Sequence, residues 1–309
     1  MKVSSQYRKE IFEHANKVTE VEVLQKYYSA PHAINFDNIN LNAYYGIRQN
    51  FGLHFNLSTR SNNYSQSMMA NGQLIPAGAG SSPQNPGPCN CSGGIIQKES
   101  HFNSLNDLRI FLNTLIKTLN YTSINGSLGL RLPSGRFNSS GYNHYTGKSE
   151  ILPYMLQAGS GTFDLLPVFT IVRTKSLGVL GTQLSGEIRT GTNSRGYSLG
   201  NRADISAWGA YYFFNGCSAT ARVTMSHWGK ILGSDKAASD LALYDPMYNT
   251  ANTGGTSGTL HFGVNVAPQL FNRFKSTCGI EFGFPLFQRL NGIQPALTSL
   301  ANVHFIFQI

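Results

Sequence analysis

Apolar residues recur at every second position along most of this 309-residue chain, and that pattern does most to limit the folds open to it. Successive side chains of a β-strand point to opposite faces, so a two-residue period writes one apolar and one polar face. Leu260, Phe262, Val264, Val266, Pro268 and Leu270 hold one phase, while His261, Asn265 and Gln269 hold the other. Next, Phe274, Ser276, Cys278, Ile280, Phe282 and Phe284 alternate with Arg273, Lys275, Thr277 and Glu281. The last segment sets Ala301, Val303, Phe305, Phe307 and Ile309 against Asn302, His304 and Gln308. Similar runs lie near 38–47, 50–61, 107–117, 123–132, 163–173, 177–190, 202–214 and 217–228, with a weaker one at 18–28. Twelve strands are expected.

The connections narrow the choice further. Short ones fall at 48–49, 118–122, 174–176, 215–216 and 271–272, and between them lie long ones at 29–37, 62–106, 133–162, 191–201, 229–258 and 285–298. Asn215-Gly216 is a two-residue hairpin signal, of the kind whose positive φ angles match strand twist. A soluble β-sandwich shares the alternation, but here all six long connections fall on one end, and twelve strands are many for one sandwich. The fold expected is all-β: a single antiparallel transmembrane β-barrel of about 12 strands with short periplasmic turns and long extracellular loops. A final strand ending in Phe305, Phe307 and Ile309 suits closure against the first, which leaves no open edge.

Composition agrees. Charged residues make up only 13% of the chain, against about 25% in soluble globular proteins. The longest apolar runs, such as Ala207 to Phe214, are strand-sized, so no helical span is expected. A net charge of +9 is spread without any Lys/Arg block, so nucleic acid is not an expected partner. Met1 to Glu10 is polar and lacks the apolar core of a secretory signal, and a leader upstream of Met1 is the expectation for an envelope protein. The domain reading is an N-terminal arm over 1–17, helical or disordered, then a barrel over 18–309 whose 62–106 loop is rich in Ser, Asn, Gly and Pro. The expected location is the outer membrane, against lipid and lipopolysaccharide.

The polar phase carries the candidate lumen lining. It collects Arg60, Arg109, Lys117, Arg131, Arg189, Arg202, Arg222, Arg273 and Lys275, together with Asp107, Asp164, Glu187, Asp204 and Glu281. A charge facing lipid at mid-depth costs about 2–4 kcal/mol, which explains the sorting. Two uses remain open: a salt-bridge network that braces the barrel, or a selectivity lining for anionic or polar solutes. His261 or Gln269 on one side and Asn302 or His304 on the other are the expected neighbours of Arg273 and Glu281. Twelve strands lie between the roughly 8 that side chains fill and the roughly 16 that leave a channel, so a narrow or plugged pore is expected.

Other constellations are weaker. Cys89 and Cys91, with Met68, Met69 and His101, offer soft ligands of the kind Cu(I) prefers, or are idle thiols in a loop. Cys278 lies on the apolar phase, as a wall residue would, and Cys217 abuts the tight turn. Tyr211, Tyr212, Phe213 and Phe214 suit an interfacial girdle. Ser226 and His227 lie on opposite phases and cannot cooperate, and His54, His261 and His304 have no matching nucleophile. Neither an enzyme nor a cofactor is expected.

Four short motifs add a resemblance. They are Gly129-Leu130-Arg131-Leu132-Pro133-Ser134-Gly135, Leu156-Gln157-Ala158-Gly159-Ser160-Gly161-Thr162-Phe163-Asp164, Arg195-Gly196-Tyr197-Ser198-Leu199-Gly200, and Phe282-Gly283-Phe284-Pro285-Leu286-Phe287-Gln288-Arg289-Leu290-Asn291-Gly292. Over roughly 105–309 the chain resembles the Gram-negative outer-membrane barrels grouped as transporters of the phenol-degradation meta-pathway. The resemblance implies a barrel that takes up small, often aromatic, compounds. Together with the charges it gives the functional expectation: a channel or transporter for small aromatic or anionic compounds. The alternative is a non-conducting structural or accessory barrel subunit of an envelope complex, with envelope proteins as partners.

Overall fold

A computed structural model describes residues 1–69, 95–143, 147–267 and 275–308. Twelve antiparallel strands close into one barrel. We number them β1 (Lys2–His14), β2 (Ser29–Arg48), β3 (Phe51–Met69), β4 (Ile95–Leu105, continuing as Leu108–Leu119), β5 (Thr122–Leu132) and β6 (Asp164–Lys175). There follow β7 (Gly178–Arg189), β8 (Arg202–Phe214), β9 (Cys217–Trp228) and β10 (Gly255–Val266). The extended segment Lys275–Gln308 supplies the last two, because it doubles back at Gly292, whose φ is 60°. Its arms 275–290 (β11) and 294–308 (β12) lie side by side: Gln288 donates to the Leu297 carbonyl at 2.9 Å, and Asn302 Nδ2 to Glu281 at 3.5 Å. β12 then pairs with β1, with Val3 opposite Val303 and Ser5 opposite Ala301, and no edge is left.

Directly paired residues share a face, so the register tests the inside–outside reading. Phe169 pairs with Leu184, Leu184 with Ile205, and Phe262 with Phe282; all of them are exposed on the outer wall. Val264 is 49% exposed and His261, on the opposite phase, only 8%. An apolar band facing out and polar groups facing in is what a bilayer demands of a barrel wall. Tyr211 to Phe214 are exposed at the turn end of β8, but Tyr212, paired through Ser218 with the inward phase of Asn265, does not join an outer girdle.

Three expectations about the ends need correction. Residues 1–17 are not an arm, because Lys2–His14 is the first barrel strand, hydrogen-bonded to β2 and β12. Its alternation is hidden because both faces are largely polar. The segment 18–28 is not a strand; it holds helix Glu20–Leu24. A reciprocal capping box starts that helix: the Glu22 N–H donates to Thr19 Oγ1, and the Thr19 N–H donates to the Glu22 carboxylate. The helix packs Val23 and Leu24 against Ile11, Ala30 and Ile293. Finally, 285–298 is not a long loop but the β11–β12 hairpin, so the strict alternation of short and long connections fails there.

The barrel rim is uneven. β2 and β3 run to 20 and 19 residues, and β4 extends alongside them, while β5 to β9 have 11 to 13. Within the expected 62–106 loop, 62–69 and 95–105 are therefore strand, and 70–94 lies outside the described residues. At the opposite end Gly216 takes a φ of 79°, but Asn215 stays at negative φ and a bulge between Tyr212 and Phe214 completes the turn.

Candidate functional site

The charges expected in the lumen come together unevenly. Register sets Arg109 opposite Arg131, Arg131 opposite Asp164, and Asp164 opposite Arg189, so four adjacent strands deliver charge to one level. Glu187, from β7, is the hub of this belt: it pairs with Arg131 at 2.6 Å, Arg189 at 2.9 Å and Arg109 at 3.5 Å. Asp164 is fully buried, pairs with Arg131 (3.4 Å) and Arg189, and accepts from Thr162 Oγ1 at 2.7 Å. Arg202 pairs with Asp204 at 2.8 Å, and Ser226 completes that group. A second cluster joins Arg222 to Glu281 at 3.2 Å, with His261 at 3.9 Å and Asn302 beside it. Of the four neighbours that strand order suggests, His261 and Asn302 are the ones beside Glu281 among the described residues.

Other expected members fall elsewhere. Arg60 faces the lumen but donates only to Asn38 among the described residues. Lys117 does not line the lumen: a bulge after Leu115 sets it opposite Ile124, out of the inner phase and exposed near the turn end. Asp107 accepts from the backbone N–H groups of Gly135 and Ser160 and from the Ser160 hydroxyl, so it fastens a loop to the rim. Arg273 lies outside the described residues, as do Cys89, Cys91 and the side chains of Lys275 and Met69. Of the remaining soft-ligand set, Met68 is buried in the wall, whereas His101 bonds Asn63 on the other phase.

One lumen arginine escaped the sequence reading. Arg8 sits on β1 opposite the inward-facing Ile34 and donates to the Pro295 carbonyl at 3.1 Å. The inner phase Lys2, Ser4, Gln6, Arg8 was its only signal. Arg8 lies in Coulombic range of Arg60 and Arg202, and Arg60 in range of Arg109 and Arg131, so these heads converge across the lumen. The belt thus sets six guanidiniums, of Arg8, Arg60, Arg109, Arg131, Arg189 and Arg202, against four carboxylates, of Asp107, Asp164, Glu187 and Asp204. Nearer the turn end the inner wall turns aromatic. Tyr44, His54 and Phe111 stack in series across β2, β3 and β4, with centroid separations of 4.2 and 5.1 Å.

Above the belt, loops fold inward and cap the mouth. Leu152, Leu156 and Met247 pack on Ile34, Phe36 and Tyr64 of the tall wall. Next to them Ile151, Tyr154, Tyr197, Ala238, Leu241 and Tyr248 form a second cluster, in which three loops meet. Asp245 ties this cap to the wall by accepting from Ser29 Oγ, the Tyr64 hydroxyl, Gln66 Nε2 and the Met247 N–H. Burial pushes its carboxyl up to about 6, against the pull of those donors. Parts of the motifs that carry the resemblance meet in this cap, whereas Phe282–Gly292 forms β11 and its turn. Gly159 lies so close to Gly135 that a Cβ would stand 2.2 Å from its carbonyl oxygen. Gln157 bonds both the N–H and the carbonyl of Ser139.

No family model matches the chain, and no curated protein matches it. Among solved structures it is similar to an outer membrane channel from Pseudomonas putida F1, with a TM-score of 0.57 and 10% identity, covering 99% of this chain and 95% of that one. Weaker likenesses include the NanC porin, at TM-score 0.45 and 10% identity with all of both chains covered. A Pseudomonas aeruginosa FadL homologue follows at TM-score 0.42 and 10% identity, covering 99% and 88%. The shared fold and the apolar outer band make this chain a transmembrane β-barrel of the outer-membrane type.

Proposed function

We propose that the protein is an outer-membrane channel for small anionic compounds, aromatic acids among them. The observation that carries this reading is the excess of arginine over carboxylate in the belt. A wall lined by uncompensated cations in a low-dielectric setting raises the local concentration of anions. The stacked Tyr44, His54 and Phe111 give an aromatic solute a surface lower down. Resemblance to the meta-pathway transporters points to the same class of compound. No catalytic role is part of the proposal, since Ser226 engages Asp204 inside while His227 bonds Thr256 on the other face. Liposomes carrying the barrel should admit benzoate faster than benzylamine; equal or reversed rates would remove the anion reading.

One observation favours the accessory-barrel alternative: the cap seats apolar side chains firmly on the inner wall. A barrel that folds stably and passes no current in planar bilayers would support it.

A further inference from the structure

Phe36 faces inward from β2 and belongs to the apolar cluster beneath the cap. Two guanidiniums lie over its ring, that of Arg8 at 5.9 Å from the centroid and that of Arg60 at 5.2 Å. Cation–π attraction holds both heads there. Each guanidinium carries five N–H donors. Among the described residues, Arg8 gives one to the Pro295 carbonyl and Arg60 one to Asn38 Oδ1, and Arg8 Nε is buried with no partner. All 15 acidic side chains of the chain belong to the described residues, and none forms an ion pair with either arginine. Every other arginine of the belt has a carboxylate. Two neighbouring cations without a counter-charge, and with donors unspent, describe one half of a recognition site.

We infer that Arg8 and Arg60 bind a compact oxyanion, a carboxylate or a phosphate, on the inner wall just beneath the cap. The inference rests on the anion-channel reading and says where along the path the anion halts. The planar fork of each guanidinium matches the paired oxygens of either group. The geometry also explains a pairing choice: Glu187 gathers three arginines on the low side of the barrel and leaves these two, on the tall side, unpaired.

The test is calorimetric titration of the full chain in detergent with benzoate, inorganic phosphate and benzyl alcohol. Saturable binding of benzoate or phosphate is expected, with none for the neutral alcohol, and the tighter anion identifies the source. R8Q and R60Q should each weaken that binding by roughly tenfold or more, the loss expected for charge-assisted hydrogen bonds. K117Q, on the outer face, should not change it. R8K and R60K keep the charge and are the fallback if the glutamine variants do not fold; loss of the planar fork should weaken binding in them too. Wild-type protein without saturable binding of either anion, or R8 and R60 variants with unchanged affinity, would overturn the site. A barrel that prefers anions yet binds neither probe discards this site alone. A barrel that binds benzoate through Arg8 and Arg60 but passes no ions keeps the site and discards the channel.

Discussion

At the loop ends of β2 and β3 the inner wall presents Ile34, Phe36 and Tyr64, whereas at the loop ends of β5 to β8 it presents Arg131, Asp164, Glu187, Arg189 and Arg202. Both stretches face into the same barrel. The apolar one attracts loop side chains and buries them, because apolar area removed from water stabilises by roughly 25 cal/mol per Å². The charged one is covered too, Asp164 fully, and its groups offset the loss of water by pairing with one another. The cap packs on one side of the mouth, and the arginine belt holds the other.

Breaking the belt should have the largest effect. Glu187→Gln leaves Arg109, Arg131 and Arg189 without their common carboxylate and should cost about 3–5 kcal/mol, the range for breaking a buried pair from one side. Urea unfolding in detergent would measure it, and a cost near zero would mean that water already screens the belt. Next comes the distinction between faces. Val264→Arg should cost about 2–4 kcal/mol and Asn265→Arg much less, read as loss of the heat-resistant folded form on gels. Equal losses would undo the inside–outside assignment.

The cap should respond more locally. Gly159→Ala places a methyl against the Gly135 backbone and should cost about 1–3 kcal/mol, as overpacking does. Faster proteolysis within 133–163, with barrel unfolding unchanged, is the expected signature. The smallest effect concerns Asp245. Folded, its carboxyl keeps a proton up to about 6; unfolded, it releases the proton near 3.8. Cap stability is thus full below that window, declines as pH rises through it, and is flat above it. Hydrogen exchange of the cap should quicken over that range, and Asp245→Asn should abolish the dependence.

The barrel was largely legible because a bilayer enforces face sorting residue by residue: the alternation expected at 202–211, 217–228, 260–266 and 276–284 matches the paired faces of the described strands. β1 was not legible, since Ser4, Ser5, Gln6, Tyr7 and Lys9 place polar groups on both faces. Nor was helix Glu20–Leu24, although the spacing of Thr19 and Glu22 announced its start. Within the site, strand phase identified Arg109, Arg131, Asp164, Glu187 and Arg189 but not their mutual pairing, which depends on register. Phase failed for Lys117, where one bulge reverses the face. The inward cap was beyond reach of periodicity, because loop residues such as Leu156, Met247 and Asp245 gain their meaning only from the wall they meet.

The proposed anion preference rests on the excess of arginine over carboxylate in the belt, which lies beneath a cap packed on the tall wall. Reversal potential across a planar bilayer holding the wild-type barrel in an asymmetric KCl gradient tests it most directly. A potential displaced toward the chloride equilibrium value is expected, with a smaller displacement for the Arg60→Gln variant. A potential displaced toward the potassium value would contradict it.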